Sequence, residues 1–320
     1  MSEAARPSVF VEGVVVLRTI TGHHNASLKL ARRLQKKRYR VERGFFVAEG
    51  WDLLEAASAA GVRPIELLVR EDLAGRIPEE LTEAARADRL DIAICSADAL
   101  AEVSTLGGAA DAVAVFRERR ASLNDWDLGG GVTVYLHQVG DPGNVGTLCR
   151  SAVAFGAAGL ACSPRTADAF GTRALRAGMG AQFLLPVATE VAAADLLSHV
   201  AARAGRGEVP PVLVVADPRG SVPAFELGRH LGGDTAPAAG VANNGSAGSG
   251  TGVVLVLGSE RGEFPSLAAG PWSAQVEIAV PQARFDSLNV AMAGTVVLYE
   301  LSLIGRGVRT VSVGSGDGGS

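Results

Sequence analysis

Three polar stretches of the chain could form a ligand-binding or catalytic site, and the first contains Arg150. It reads DPGNVGTLCR, a turn that predicts a helix beginning near Asn144, with Asn144 as its cap. The free backbone amides at such a helix start attract anions such as phosphate. Arg150 follows six residues later, roughly 120° round the helix, and its long side chain can reach back toward the turn. The stretch predicts an anion clamp, with an ordinary capped turn as the alternative.

The second stretch, VVLVLGSERGEFP, runs from an apolar strand directly into a glycine turn. It places Glu260 two residues after Gly258. Open parallel sheets bind their ligands at the carboxyl ends of the strands, so Glu260 is in a position typical of a site residue. A solvated turn is the alternative, because loops are usually polar.

The third stretch, IAVPQARFDSLNVAMAG, leaves a strand through Pro281 and then begins a long apolar helix. Asp286 or Ser287 is the predicted cap of that helix, and Asn289 falls inside its first turn. Asparagine is a poor helix former, so Asn289 could instead hold a neighbouring loop. Three polar stretches that each follow a strand predict one shared site.

The strands around these stretches are almost continuously apolar. Such strands, separated by helices, are typical of a parallel sheet covered on both faces. They are predicted at 132–137, 159–163, 211–216, 253–258 and 276–280. Nearer the N-terminus, a basic helix over 27–43 precedes a strand, a helix and further strands in a βαβ-like pattern. We therefore predict an α/β protein with two domains, which its 320 residues allow.

The domain boundaries are predicted from losses of periodicity and from glycine content. The stretch RERRASLNDWDLGGG has no regular apolar spacing and predicts a linker. Residues 232–252 contain seven glycines and one charged residue, which predicts a flexible insertion. The predicted organisation is an N-terminal domain at 1–120, a linker at 121–130, a C-terminal domain at 131–305 and a disordered tail at 306–320.

A cluster of cations in the N-terminal helix contrasts with the formal net charge of −4. The acidic balance argues against a protein that coats nucleic acid by charge alone. A local basic patch can still steer folded RNA, which proteins recognise through phosphates and shape. A solvated helix face is the alternative. The cluster consists of Lys29, Arg32, Arg33, Lys36, Lys37, Arg38, Arg40 and Arg43, with Glu42 as the one acid among them.

The sequence lacks the residue patterns that several classes of function require. Cys95, Cys149 and Cys162 have no CxxC spacing and lie in or beside apolar runs, which predicts buried thiols and a reducing, cytoplasmic setting. The histidines show no metal-ligand spacing, so we expect no metal. The absence of GxGxxG after a strand argues against a nucleotide-dependent oxidoreductase. We expect neither a secretory signal nor a membrane span.

Taken together, the three stretches resemble the motifs of the SpoU/TrmH family of SPOUT RNA ribose 2′-O-methyltransferases, and the match covers most of 130–305. The N-terminal part, opening HHNASLKLARRLQKKRYRVERGFFVAEG, is similar to the family's substrate-binding domain, which is like ribosomal protein L30e. Gln282, where the family often has methionine, and the insertion at 232–252 depart from the pattern. The shared motif residues are Asn144 with Arg150, then Gly258-Ser259-Glu260, then Pro281 followed by Ser287-Leu288-Asn289.

The resemblance implies an L30e-like N-terminal domain and a SPOUT α/β domain with a parallel sheet and a deep trefoil knot. It also implies S-adenosylmethionine as cofactor, a homodimer, and RNA 2′-O-methylation, with 23S ribosomal RNA favoured. Transfer RNA as substrate, antibiotic resistance through ribosomal RNA modification, and a non-catalytic RNA-binding protein are the alternatives.

Residue roles are carried over from the family by position. The predicted catalytic residues are Arg150, Asn144, Glu260, Ser287 and Asn289, with Arg150 holding the target phosphate and polarising the 2′-hydroxyl. The predicted cofactor residues are Leu257, Gly258, Val280, Pro281 and Leu288. The predicted RNA-binding residues are Lys29, Arg32, Arg33, Lys36, Lys37, Arg38 and Arg40.

Overall fold

The computed structural model describes residues 18–20, 25–87, 89–105, 108, 110–231, 251–258, 267–282 and 288–305. Its chain forms two compact units, each assembled from separated segments. The first unit comprises 1–121, 139–150 and 165–189, and the second comprises 122–138, 151–164 and 190–320. The division at 120 and 131 stays a prediction. The insertion predicted at 232–252, apart from its last two residues, and the tail predicted at 306–320 lie outside the described residues.

The N-terminal part of the chain alternates short strands with helices. The elements are β1 (Arg18–Ile20), α1 (Ala26–Leu34), α2 (Lys37–Arg43), β2 (Phe45–Glu49), α3 (Trp51–Ala59), β3 (Glu66–Arg70), α4 (Glu79–Arg86), β4 (Asp91–Cys95), α5 (Ala97–Ala101) and β5 (Ala112–Arg117).

The remainder of the chain continues the alternation with longer helices. The elements are β6 (Val132–His137), α6 (Pro142–Ala154), β7 (Gly159–Cys162), α7 (Thr172–Ala177), β8 (Val187–Ala188), α8 (Ala193–Gly205), β9 (Val212–Ala216), β10 (Val222–Pro223), α9 (Leu227–His230), β11 (Val253–Gly258), β12 (Gln275–Ala279) and α10 (Val290–Gly305). The five predicted apolar strands are β6, β7, β9, β11 and β12, each within one residue of its predicted bounds.

The first unit contains a five-stranded mixed sheet in the order β1-β4-β3-β5-β2. β1 and β3 run parallel to β4, whereas β5 runs antiparallel to both β3 and β2. The apolar face of α1 packs on this sheet, and Leu28, Leu34 and Leu68 are fully buried in the shared core. The strands of the predicted βαβ-like pattern, β2 and β3, are not adjacent, because β5 lies between them and runs antiparallel to both. The next strand, helix and strand, β3, α4 and β4, do form a parallel βαβ unit.

The basic helix predicted over 27–43 is two helices. Asn25 caps α1, since its side-chain oxygen accepts a hydrogen bond from the Ser27 amide at 2.8 Å. α1 ends at Leu34, and Lys36 then adopts an extended conformation (φ −93°, ψ 124°) before α2 begins. The prediction of one helix was wrong because apolar spacing does not reveal a two-residue interruption.

Six strands of the second unit lie in the order β10-β12-β9-β11-β6-β7, and all registered pairs among them are parallel. β11 lies near the middle, and its residues Val253 to Leu257 are all buried. Such strands are apolar throughout because helices cover both faces of a parallel sheet. The predicted α/β fold with a parallel sheet is confirmed. The trefoil knot stays a prediction.

Candidate functional site

The carboxyl ends of four parallel strands meet at one edge of the second unit's sheet. Gly258, the last residue of β11, is in register with His137, the last residue of β6. On the other side, Ala216 at the end of β9 is in register with both Leu257 and Ile278. The ends of β11 and β12 therefore flank β9, about 10 Å apart at the usual strand spacing. Leu257 and Gly258 end β11 at this edge, and Val280 and Pro281 directly follow β12.

The cofactor residues predicted at this edge are mainly apolar. Leu257 is fully buried, whereas Gly258, Val280 and Leu288 are half-buried and Pro281 is exposed. Residues of this kind offer a ligand apolar contact and backbone polar groups.

One charged pair at the same edge was not singled out from the sequence. Asp217 follows β9, and its carboxylate accepts hydrogen bonds from the Arg219 backbone amide at 2.8 Å and from Arg219 Nε at 3.2 Å. The Arg219 side-chain hydrogen bond holds the pKa of Asp217 below its usual range. The sequence signal was available, because a DPRG turn directly follows an apolar strand.

The helix that carries Arg150 is capped by Asp141. The Asp141 carboxylate accepts a hydrogen bond from the Asn144 amide at 2.9 Å, and its backbone carbonyl accepts one from the Val145 amide at 3.1 Å. Pro142, the first helical residue, needs no hydrogen-bond partner for its nitrogen. The prediction that Asn144 caps this helix was wrong, because the aspartate three residues earlier occupies the position. Asn144 lies in the first turn of α6.

Arg150 lies on the exposed side of α6. The apolar side chains Val145, Leu148, Cys149 and Ala152 on the other side of this helix are fully buried, and Phe155 just beyond it is half-buried. The Arg150 side chain makes no hydrogen bond or ion pair with any other residue that the structure describes. Its guanidinium is therefore available to an anion from solution.

The start of α6 is packed tightly within the first unit. A side-chain carbon placed on Gly146 would lie 2.2 Å from the carbonyl oxygen of Ala174 and 2.8 Å from the amide nitrogen of Gly178. Only glycine allows α6 to approach the backbone of α7 so closely. Gly146 therefore helps to fix the position of the helix that carries Asn144 and Arg150.

The last helix begins at the third polar stretch and is capped by Asn289. The Asn289 side-chain oxygen accepts a hydrogen bond from the Ala291 amide at 2.9 Å, and its carbonyl accepts one from the Ala293 amide at 2.9 Å. The prediction of a cap at Asp286 or Ser287 was wrong, because the helix starts later, at Val290. Asp286, Ser287 and the predicted catalytic Glu260 lie outside the described residues.

Two side-chain contacts connect the end of α6 and the residue after it with α10 within the second unit. The hydroxyl oxygens of Ser151 and Thr295 are 2.7 Å apart, and Ser151 is buried. The rings of Phe155 and Tyr299 meet edge to face, with centroids 5.8 Å apart. Ser151 directly follows Arg150 in the helix, so this contact holds the backbone next to the arginine.

The turn between β6 and α6 contains a residue in an uncommon backbone conformation. Gln138 has a φ of 54°, a left-handed value that is rare outside glycine. Its amide donates a hydrogen bond to Ser163 Oγ at 2.9 Å, and its side chain lies 3.1 Å from His137 Nε2. These contacts compensate for the backbone strain at the sheet edge.

The basic cluster of α1 and α2 is largely exposed, with one exception. Lys29, Arg32, Arg33, Lys36, Lys37, Arg38 and Arg43 are exposed. Arg40 is only 5% exposed; its Nε donates to Asp168 Oδ2 at 3.0 Å and its Nη1 to the Leu34 carbonyl at 2.6 Å. Its prediction as an RNA-contacting residue is corrected, because helical position alone did not reveal that it faces the interior of the first unit.

The remaining cations of this cluster differ in their partners. Arg32 pairs with Glu102. Arg33 and Arg43 lie over the ring of Tyr39, 5.7 and 5.3 Å from its centroid. A face of exposed cations suits an anionic polymer.

Comparison with known protein families covers both parts of the chain. Residues 131–299 match the SpoU rRNA Methylase family, and residues 25–114 match the MRM3-like substrate binding domain. The first match alone spans more than half of the chain. The chain belongs to the SpoU rRNA Methylase family. The resemblance found in the three polar stretches and in the N-terminal part is confirmed.

Curated relatives in this family modify ribosomal RNA. The chain is 29% identical over 162 residues to the 23S rRNA (uridine(2479)-2′-O)-methyltransferase of Streptomyces viridochromogenes. It is also 29% identical over 171 residues to the 23S rRNA (guanosine(2553)-2′-O)-methyltransferase RlmP of Bacillus subtilis (strain 168). These matches cover 50% and 53% of this chain but only 48% and 64% of the two relatives.

Solved structures of similar fold cover nearly the whole chain. An AdoMet-bound rRNA methyltransferase from Sinorhizobium meliloti is 26% identical, with a TM-score of 0.70 over 92% of this chain and 99% of that one. Among the described residues, no helix is long and apolar enough to cross a membrane, and no group of three or more His, Cys, Asp or Glu side chains could hold a metal ion.

Proposed function

We propose that the protein is a cytoplasmic S-adenosylmethionine-dependent RNA ribose 2′-O-methyltransferase that acts on 23S ribosomal RNA. The observation that carries the proposal is the family match over 131–299, which spans the sheet edge, α6 and the capped start of α10. The two curated relatives, which are named as 23S rRNA 2′-O-methyltransferases, support the reaction and the substrate. The free, buried state of Cys95, Cys149 and Cys162 is consistent with a reducing compartment.

The residues at the sheet edge suit S-adenosylmethionine. Half-buried Gly258, Val280 and Leu288 provide apolar surface for the adenine, and backbone amides and carbonyls beyond the strand ends provide its hydrogen bonds. Leu257 and Pro281 complete the proposed set. When bound, the cofactor supplies an electrophilic methyl group on its sulfonium. The AdoMet-bound structure from Sinorhizobium meliloti supports this assignment.

Arg150 is the proposed catalytic residue. Its exposed guanidinium binds the phosphate next to the target nucleotide and polarises the ribose 2′-hydroxyl. A guanidinium stays protonated in proteins, so Arg150 does not act as the base. A phosphate oxygen of the RNA accepts the hydroxyl proton instead.

In this proposal, positioning of the reacting groups lowers the reaction barrier more than general base catalysis does. Orientation of the reacting groups can supply about 7–11 kcal/mol, whereas general base catalysis supplies about 3–5 kcal/mol. Asn144 and Asn289, at the starts of α6 and α10, orient Arg150 and the ribose by hydrogen bonds, together with Glu260 and Ser287. The tight packing at Gly146 and the bond from Ser151 to Thr295 restrict α6 and so support the same positioning.

The exposed cations of α1 and α2 are the proposed RNA-binding face. The proposed set excludes Arg40, which is buried. It consists of Lys29, Arg32, Arg33, Lys36, Lys37 and Arg38. The face lies within the region that matches the substrate binding domain. Contacts to phosphates there attract RNA in a salt-dependent manner.

A homodimer is part of the proposal. α10 exposes Met292 (61%), Val296 (37%) and Tyr299 (48%), which lie on one side of the helix at spacings of four and three residues. A second copy of the chain would cover this apolar face. Light scattering on the purified protein should give twice the chain mass, and Met292→Glu should shift it toward the monomer.

The reaction is tested with purified protein in two measurements. Titration calorimetry should show binding of S-adenosylmethionine, and radiolabelled methyl groups should pass to unmodified 23S rRNA. Mapping of ribose methylation in a deletion strain then identifies the nucleotide. Cofactor binding with transfer to tRNA alone would replace the proposed substrate. RNA binding without cofactor binding would identify a non-catalytic RNA-binding protein.

A further inference from the structure

A trough on the first unit is lined by residues other than the basic residues of α1 and α2. Two neighbouring cavities of about 320 and 350 Å³ share Val62 and Arg119 among their lining residues. The first is also lined by Arg117, Phe183 and Leu184, and the second by Arg63. Each cavity is within the size range of small-ligand sites. We call this surface the arginine trough.

The charge of the trough is strongly positive. Arg63, Arg117 and Arg119 are exposed along it, and Arg117 lies over the Phe45 ring, 5.3 Å from its centroid. Within the part of the chain that the structure describes, Arg63 and Arg119 form no ion pair. Glu80 is the one carboxylate among the residues that line the two cavities, so the trough carries an excess of positive charge on a chain whose net charge is −4.

The opposite wall of the trough is apolar. Leu184 is 60% exposed, and Pro186 beside it is exposed as well. Phe183 is half-buried, with its ring centroid 4.8 Å from that of Phe116 in the interior. An exposed leucine beside an anchored aromatic ring gives a firm apolar surface next to the arginines.

We propose that the arginine trough binds an unpaired nucleotide of the RNA substrate. The base packs on Phe183 and Leu184, and the adjoining phosphates contact Arg117 and Arg119. The proposal rests on the methyltransferase function proposed above, and it adds a second contact region for the same RNA. Grooves for single-stranded nucleic acid combine cations with apolar or aromatic surface in this way.

The same features argue against the other occupants. An apolar peptide would leave the exposed guanidinium groups without counter-charges. Double-stranded RNA presents phosphates but no free base face to an apolar wall. Of these occupants, an unpaired nucleotide provides both a phosphate for the arginines and a free base face for the apolar wall.

The test compares two trough variants with a matched control in the full-length protein. Arg119→Glu reverses a trough charge, Leu184→Ala trims the apolar wall, and Arg229→Glu reverses a 73% exposed arginine of the second unit. Affinity is measured for a labelled single-stranded RNA of about 12 nucleotides and for a duplex of similar length, each over a range of salt concentrations. Calorimetry with S-adenosylmethionine is run on every variant.

The expected results differ between the variants. Arg119→Glu should weaken single-strand binding about ten-fold and lower the salt slope by about 0.7 per lost phosphate contact. Leu184→Ala should weaken it about three- to ten-fold with the salt slope unchanged, because a stacking contact carries no counter-ion release. Arg229→Glu and the affinity for S-adenosylmethionine should be close to wild type.

Three outcomes would overturn the trough proposal. In the first, Arg119→Glu and Arg229→Glu weaken RNA binding equally. In the second, the trough variants lose as much affinity for the duplex as for the single strand. In the third, the trough variants change only the oligomeric mass on light scattering. If wild-type protein binds no S-adenosylmethionine yet the trough variants lose RNA affinity, the methyltransferase proposal fails and the trough stands. The two failures are therefore distinguishable.

Discussion

Ser151 donates a hydrogen bond to Thr295 across the contact between α6 and α10. The oxygens are 2.7 Å apart, and Thr295 Oγ1 also lies 2.7 Å from the Ala291 carbonyl, to which it donates its only hydroxyl proton. Ser151 must therefore be the donor of the pair. The residue after Arg150 is thereby fixed to the first turns of the helix that Asn289 caps.

Loss of that hydrogen bond should impair methyl transfer more than cofactor binding. Thr295→Val keeps the side-chain shape but removes the acceptor, and we expect kcat to fall about ten-fold, because small displacements of a positioned group are costly. The Kd for S-adenosylmethionine should change less than about two-fold. Thr295→Ser retains the hydroxyl and should restore kcat. Equal kcat for the valine and serine variants would contradict a positioning role.

Arg150 should be required for turnover and dispensable for cofactor affinity. Arg150→Ala should abolish detectable methyl transfer, while the calorimetric Kd for S-adenosylmethionine stays within a few-fold of wild type. Arg150→Lys should recover little, because an ammonium lacks the planar pair of donors for a phosphate. Arg229→Ala, at an exposed arginine of the second unit, is the control. Near wild-type turnover of Arg150→Ala would exclude the arginine from the mechanism.

A methyl group at Gly146 should destabilise the protein. Gly146→Ala would place a carbon 2.2 Å from the Ala174 carbonyl oxygen, so α6 must shift away from α7. We expect a loss of about 1–3 kcal/mol in the free energy of unfolding. Gly205→Ala, which meets no atom within 4 Å, is the matched control. Denaturant unfolding of both variants measures the difference, and equal midpoints would refute the tight contact.

Substitution of Arg40 should affect the stability of the fold, whereas substitution of Arg38 should affect RNA binding. Arg40→Ala leaves the carboxylate of Asp168 without its buried partner, and we expect a loss of about 3–5 kcal/mol. Arg38→Ala, at an exposed position of the same helix, should leave the unfolding midpoint unchanged but reduce the salt slope of RNA binding. Melting curves and binding isotherms test both. A stable Arg40→Ala variant with weakened RNA binding would reverse the assignment.

The free energy of unfolding should fall at alkaline pH. Burial raises the pKa of Cys149 from 9.0 to about 12 and that of Tyr135 from 10.0 to about 12, because the anions would lose their hydration. The unfolded chain therefore releases these protons first as pH rises. Stability is complete below about pH 9 and declines between about pH 9 and 12. Melting temperatures across this range test the decline, and Cys149→Ala should show a shallower one.

The parallel sheet was predictable because its signal is local. Runs such as 253–258 are apolar at every position, and that pattern is characteristic of strands covered on both faces. Helix starts were less predictable. Asp141 and Asn144, or Ser287 and Asn289, are all residues that cap helices well, so composition could not choose between them. Which residue caps the helix depends on the path that the chain takes after the preceding strand ends.

The amino-acid sequence by itself determined the fold class, the apolar strands and the family, because each depends on residue types at fixed spacings along the chain. Only the tertiary structure decided which polar side chains face inward. Arg40 meets Asp168 across 128 positions, and Ser151 meets Thr295 across 144. Such pairs leave no local pattern, since their hydrogen bonds form only when distant segments pack together.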